Sequence, residues 1–281
     1  METIPAVTID ELISRYDALL LDAYGVLVNK EGALPGAAEL IAKLNRLDKP
    51  YFLVSNTAAH LPEHAAARYR SFGLDLVAER ILTAGLLIKP HFRAHGYEGL
   101  RCAVLGPEDS FAYVEEAGAR PVSPFEDFDL VLIGDQVGFP FLDGVDAVIS
   151  RLIEKLDGGE TVPLILPNPD LIFPKAAGFG ITSGMVASII EAALKQRFPD
   201  RADVAFVHLG KPQPGLFEAA VQRAGTRSVV MIGDQVDTDI RGAAGVGLDS
   251  ALVAGGVAGS RFAGNLRPTY RLQSLMPAAE R

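Results

Sequence analysis

The chain has 281 residues, 49% of them hydrophobic and 7% aromatic, with a formal charge of −9. That is enough apolar material for one large folded unit or two ordinary ones. With no Lys/Arg run to override it, the negative charge argues against nucleic acid and anionic membrane as partners. A small anionic ligand stays compatible, because a bound cation and one lysine reverse the field locally. The single cysteine, Cys102, excludes an intramolecular disulfide. No window reaches the ~18 consecutive apolar residues of a membrane helix. The N-terminal METIPAVTIDELIS lacks a basic region followed by an apolar run, so the expected compartment is the cytoplasm.

In chain order, ALLLDAYGVLV, AAELIAKLNRL, PYFLVSN and PEHAAARYRSFG alternate strand and helix patterns, as βαβ units on a parallel sheet do. A second series opens at Arg101 with RCAVLG, where Cys102 is expected as a small buried hydrophobe. It continues through SFAYVEEAG, DLVLIGD, GVDAVISRLIEKL and VPLILPN. The third series is VAFVHLGK, PGLFEAAVQRAG, SVVMIGD and SALVAGG, and from Arg261 the turn-prone GNLRP precedes a short strand, TYRLQSL. Three series exceed one compact sheet. The fold class expected is therefore α/β with two domains, residues 1–87 and 185–281 forming a discontinuous one and residues 88–184 inserted into it. GFGITSG, Gly178 to Gly184, is expected to be the hinge that returns the chain from the insertion.

Ligands of an open parallel sheet sit outside the carboxyl ends of its strands. Four strand ends offer polar groups there: Asp22 after ALLL, Ser55 and Asn56 after YFLV, Lys211 after AFVHLG, and Asp234 with Asp237 and Asp239 after VVMIG. A carboxylate attacking a phosphoryl group meets charge repulsion, which a divalent cation and a lysine neutralise. Asp22 is then the nucleophile. Mg²⁺ would take Asp22, the Tyr24 carbonyl and Asp234, keeping several waters, while Asp239 holds Lys211 or a metal-bound water. Ser55 would bind a non-bridging oxygen, and Asn56 would orient the phosphoryl group or the substrate. The pentapeptide IGDQV occurs at 133–137 and again at 232–236. Only the second copy continues into further carboxylates, and it alone is expected to serve a metal.

DAYGVL, VSN, GKPQPGLFEAA and GDQVDTDI, in that order, resemble the haloacid dehalogenase (HAD) superfamily. The large insertion carrying LPNPD resembles the branch of the NagD-type and 4-nitrophenyl phosphatase-type enzymes. The resemblance implies a Rossmann-like core with an α/β cap and a small phosphorylated substrate bound beneath it. It makes Asn168 and Asp170 of LPNPD the expected specificity contacts, and it leaves room for a homodimer through the cap.

The chain departs from that family at Tyr24, where the resemblance implies a second aspartate that protonates the leaving oxygen and activates water. A phenol of ordinary pKa, about 10, can donate a hydrogen bond but is a poor base. Three outcomes follow: a slow phosphatase favouring good leaving groups, an enzyme whose substrate supplies the missing proton chemistry, or a domain that binds a phosphorylated ligand without turning it over. A DxYG motif also resembles the metal-free 2-haloacid dehalogenases, against which the Asp234 and Asp239 carboxylates stand. HLPEH, His60 to His64, fits a zinc template by letters alone. Pro62 is expected in the first helical turn, which would leave His60 pointing elsewhere.

Overall fold

The computed structural model describes residues 4–175, 177–253 and 266–278. Its first stretch runs β1 (Ala6–Val7), α1 (Ile9–Arg15), β2 (Ala18–Leu21), α2 (Ala37–Arg46), β3 (Tyr51–Ser55), α3 (Pro62–Ser71) and β4 (Ile81–Thr83). The middle runs α4 (Ile88–His95), β5 (Arg101–Leu105), α5 (Glu108–Glu116), β6 (Arg120–Val122), β7 (Leu130–Ile133), α6 (Phe141–Asp157), β8 (Leu164–Leu166), β9 (Ile172–Pro174), β10 (Phe179–Ile181), α7 (Ser183–Arg197) and β11 (Val207–His208). The last stretch is α8 (Gly215–Ala224), β12 (Val229–Gly233), α9 (Arg241–Gly245), β13 (Asp249–Val253) and β14 (Tyr270–Leu272). The strand expected in TYRLQSL is β14, whereas GNLRP and the end of SALVAGG lie partly outside the described residues.

A seven-stranded sheet has the order β1-β14-β13-β12-β2-β3-β4, with every pairing parallel. Its central strands β2 and β12 are buried along their whole length. Successive side chains of a strand point to opposite faces, and both faces here are covered, which is why ALLL and VVMIG are continuous apolar runs. Leu19 and Leu21 pack with α1, α2 and α3, while Ala18 and Leu20 pack with α8 and α9. The second sheet, β11-β8-β7-β5-β6, is likewise parallel, covered by α6 and α7 on one face and by α4 and α5 on the other. Cys102 is fully buried there, and burial pushes its thiol pKa up.

The boundary expected at residue 184 is displaced. Helix α7 sends Val186, Ile190 and Leu194 into the core of the second sheet, beside Val131, Ile133 and Leu164. Each of those three apolar side chains contributes roughly 1.5–3 kcal/mol by burial, so α7 belongs with the inserted unit. Strand β11 then pairs with β8 in the same sheet. The chain comes back to the first sheet only past Leu209 and Gly210, whose N–H groups donate to Leu166 and Pro167 carbonyls at 3.0 and 2.9 Å. GFGITSG is accordingly no hinge: it forms β10, paired antiparallel with β9, and the first turn of α7.

Candidate active site

The carboxyl ends of β2, β3 and β12 lie side by side because those strands are neighbours in register. Asp22 follows β2 directly, and its N–H donates to the Ile232 carbonyl at 2.9 Å, continuing the ladder to β12 by one bond. Asp234 follows β12. Asp239 comes from a single π-helical turn, Val236–Ile240, where its Oδ2 accepts the N–H of Gln235 at 3.1 Å. Two glycines let these groups approach. Gly25 has φ of +89°, a left-handed conformation that glycine adopts without steric cost, and a Cβ there would collide with the Asp234 carboxylate. A Cβ on Gly233 would likewise collide with the side chain of Asp239.

Lys211 ties the cluster together, donating from Nζ to Asp22 Oδ1 at 2.6 Å and to Asp239 Oδ1 at 2.7 Å. Asp22, Lys211, Asp234 and Asp239 are all buried, between 0% and 6% exposed. Burial alone would depress the lysine pKa, but Asp22 and Asp239 more than reverse this, so Lys211 is a permanent cation. Burial pushes the Asp22 carboxyl well above the usual carboxylate range. Lys211 pulls it back, and Asp239 and Asp234 raise it again. Carboxylate oxygens of Asp22, Asp234 and Asp239 lie within 4.8 Å of one another. Three carboxyl groups thus share one buried space with a single ammonium. Oxygen-only donors of this kind fit a hard divalent cation such as Mg²⁺.

Asn56 departs from the role expected of it. Its Oδ1 accepts the Lys211 N–H at 2.6 Å, and its Nδ2 donates to the Lys211 carbonyl at 3.1 Å and to Asp170 Oδ1 at 3.2 Å. With both ends of the amide engaged, Asn56 clamps the lysine main chain and connects it to the inserted unit. Ser55, at the end of β3, is buried and faces the same cavity. Asn168 and Asp170 also line it, joined by the Asp170 N–H donating to Asn168 Oδ1 at 3.0 Å. Burial raises the Asp170 carboxyl to about 6, with Lys211 opposing.

The cavity, partly open to solvent, has a volume of about 410 Å³ and lies between the two sheets' strand ends. Tyr24 forms part of its wall. The phenol oxygen accepts a hydrogen bond from Arg68 Nη2 at 2.9 Å, and its ring meets Phe173 of β9 edge to face at 6.1 Å between centroids. Sequence reasoning missed Arg68 and Phe173, which carry no strand-end signal. It also missed Asp135, which lines the cavity at the end of β7 and was discounted as the idle copy of IGDQV. Burial pushes the Asp135 carboxyl up to about 6, opposed by the Val137 and Gln136 N–H groups and by Arg68.

The two histidines of HLPEH do not diverge as expected. Pro62 opens α3, as the sequence suggests. His64 Nδ1 lies 2.8 Å from both carboxylate oxygens of Asp109, and His60 Nδ1 lies 3.9 Å from one of them. Asp109 sits in the first turn of α5, so the pair clasps the inserted unit to the first. Among the described residues the groups of three or more metal-capable side chains reduce to Asp22, Asp234 and Asp239. No described helix is long and apolar enough to cross a membrane.

The family model for haloacid dehalogenase-like hydrolases matches residues 19–120, and a second, HAD-hydrolase-like, matches residues 208–278. A dihydroxyacetone phosphatase of Corynebacterium glutamicum is 27% identical over 267 residues, spanning 93% of this chain and 90% of the relative. A crystal structure described as a possible sugar phosphatase of the HAD superfamily, from Cytophaga hutchinsonii, superposes with a TM-score of 0.84 at 25% identity, covering 99% of this chain and 100% of that one. A glycerol phosphate phosphatase of Mycobacterium tuberculosis, solved in complex with magnesium, gives a TM-score of 0.77 at 25% identity over 94% of this chain and 76% of its own. The two matched segments contain the strand ends that form the buried aspartate and lysine cluster, and the fold agrees throughout: the chain belongs to the haloacid dehalogenase superfamily, as a phosphatase-like hydrolase.

Proposed function

We propose that the protein is a Mg²⁺-dependent phosphatase of small phosphate esters, working through an aspartyl phosphate on Asp22. The observation that carries this is the buried chain Asp22–Lys211–Asp239, with Asp234 beside it, reached through Asp22 from the adjoining cavity. Asp22, Asp234 and the Tyr24 carbonyl would hold the cation, with Asp239 in support. When bound, it would offset the negative charge of the carboxylates and of the phosphoryl oxygens. Lys211 fixes one oxygen of Asp22 and presents positive charge to the arriving phosphoryl group. A carboxylate oxygen of Asp22 forms the bond to phosphorus as the bond to the leaving oxygen breaks. Water then cleaves the acyl phosphate, releasing phosphate and restoring the carboxylate. Ser55 would donate to a non-bridging oxygen, while Asn56 acts through Lys211 by holding its main chain.

Tyr24 makes the first step dependent on the leaving group. Its oxygen already accepts from Arg68, and a phenol is a weaker acid towards the leaving oxygen than a carboxyl group, as well as a poor base towards water. Release of phosphate from an aryl ester, measured with Mg²⁺ and again in chelator, tests the proposal. Turnover confined to the Mg²⁺ sample is the expected result, and equal rates would contradict it. Tyr24→Asp should raise alkyl phosphate turnover by on the order of 10² to 10⁴, measured as steady-state phosphate release. No gain would mean that the phenol does more than occupy the place of a missing acid.

The phenol's engagement with Arg68 and Phe173 also favours a second possibility, a protein that binds a phosphorylated ligand and turns it over weakly. Robust hydrolysis of an unactivated phosphate ester would dispose of it. Displacement of halide from a 2-haloacid, by contrast, has no use for three buried carboxyl groups within 4.8 Å of one another.

A further inference from the structure

Arg68 is half-buried on α3 and lines the cavity. Its guanidinium donates to two neutral acceptors, Tyr24 Oη at 2.9 Å and His60 Nε2 at 3.4 Å. His60 suits that role: burial and then Arg68 itself lower its pKa, and with Nδ1 turned towards Asp109 at 3.9 Å the Nδ1–H tautomer leaves Nε2 to accept. Among the described residues no carboxylate comes within ion-pair distance of Arg68. Asp135, the acid facing it across the cavity, turns an oxygen back onto the N–H of Val137 at 3.1 Å.

A guanidinium drawn partly out of water loses hydration, and it normally regains that energy from a carboxylate or phosphate held in its fork. Here the phenol, the imidazole and the Phe72 ring, 5.6 Å from the guanidinium carbon, fix the side chain, and none of them is an anion. Of its five N–H donors two are spent, and the cavity adjoining it already opens onto the Asp22 cluster. Tyr24 bridges the two ends, following Asp22 by two residues and meeting Arg68 with its hydroxyl.

Resting on the phosphatase function proposed above, we infer that Arg68 recognises a second anionic group of the substrate. The preferred esters are then phosphorylated acids or bisphosphates rather than phosphates of uncharged polyols. Arg68 supplies specificity: it holds the far end of a molecule whose phosphoryl group lies at Asp22, and it takes no part in bond making.

Matched substrate pairs read this directly. 3-Phosphoglycerate differs from glycerol 3-phosphate by a carboxylate in place of a hydroxymethyl group, and fructose 1,6-bisphosphate differs from fructose 6-phosphate by a second phosphate. The anionic member of at least one pair should have the higher kcat/KM, on the order of tenfold to a hundredfold, as for a charge-assisted hydrogen bond. Which pair responds tells carboxylate from phosphate. Arg68→Gln should bring that ratio towards one, mainly through KM of the anionic member, and Arg68→Lys should restore part of it by keeping the charge without the fork.

Calorimetric titration of the Asp22→Asn protein in buffer containing Mg²⁺ with the same four compounds gives a readout independent of turnover, and the same ordering is expected. Ratios near one in both assays, or a ratio unmoved by Arg68→Gln, would overturn the inference while Mg²⁺-dependent aryl phosphate release left the phosphatase function standing. If no ester is hydrolysed, that function fails. The titration then decides the subsite alone: tighter binding of an anionic member upholds it, and equal binding overturns it.

Discussion

Asp22→Asn is expected to abolish phosphate release, lowering kcat on the order of 10⁴-fold or more, while leaving the folded protein at least as stable in chelator. The two halves of this expectation come from the same geometry. An amide keeps the shape of the carboxylate but is no nucleophile, so the covalent step is lost outright. It also removes one negative charge from a site where burial, Asp239 and Asp234 all oppose ionisation of Asp22. Lys211 keeps Asp239 as a partner at 2.7 Å. Steady-state assays with thermal melting would show both effects. A mutant that loses activity and melts far lower would mean that the aspartate is chiefly structural.

Lys211→Met should do the reverse to stability. Removing the ammonium strands Asp22 and Asp239 in a buried site, and breaking a buried ion pair from one side costs about 3–5 kcal/mol. The methionine side chain fills similar volume, so cavity formation adds little. Chemical denaturation in chelator should show a loss of that size, and phosphate release should fall steeply because the phosphoryl group loses its nearest fixed cation. Mg²⁺ should recover part of the stability, since a divalent ion offsets some of the same charge. A metal-free variant as stable as the parent would show that the carboxylates are neutral or solvated, contrary to their burial.

The site's floor was legible because a parallel sheet leaves little freedom. Once ALLL, YFLV and VVMIG are strands of one sheet, the residues after them must share its carboxyl edge, whatever lies between them in sequence. Asp22, Ser55 and Asp234 were found that way. The second domain boundary was not legible. The stripe Val186, Ile190, Leu194 suits either sheet, and only the tertiary structure shows that it faces Val131 and Ile133.

Asn56 was expected to orient the phosphoryl group or the substrate, and a sequence cannot show that its amide is engaged by the Lys211 main chain. Arg68 was missed for a related reason. On a helix of ordinary amphipathic pattern one arginine looks like any solvated charge, and its meaning depends on Tyr24 and His60 reaching it from other loops. The same holds for His60, which lies before α3 as its proline requires yet turns towards Asp109 of the inserted unit.

The central claim is that Asp22 forms a covalent phosphate. Acid quench of the enzyme with Mg²⁺ and an aryl phosphate, followed by mass spectrometry of the Asp22 peptide, measures it directly. A phosphate adduct should appear on the peptide carrying Leu19 to Leu27, build up because Tyr24 is a poor base for its hydrolysis, and shrink in Tyr24→Asp. Phosphate released with no adduct at any quench time, or an adduct on another residue, would contradict the account.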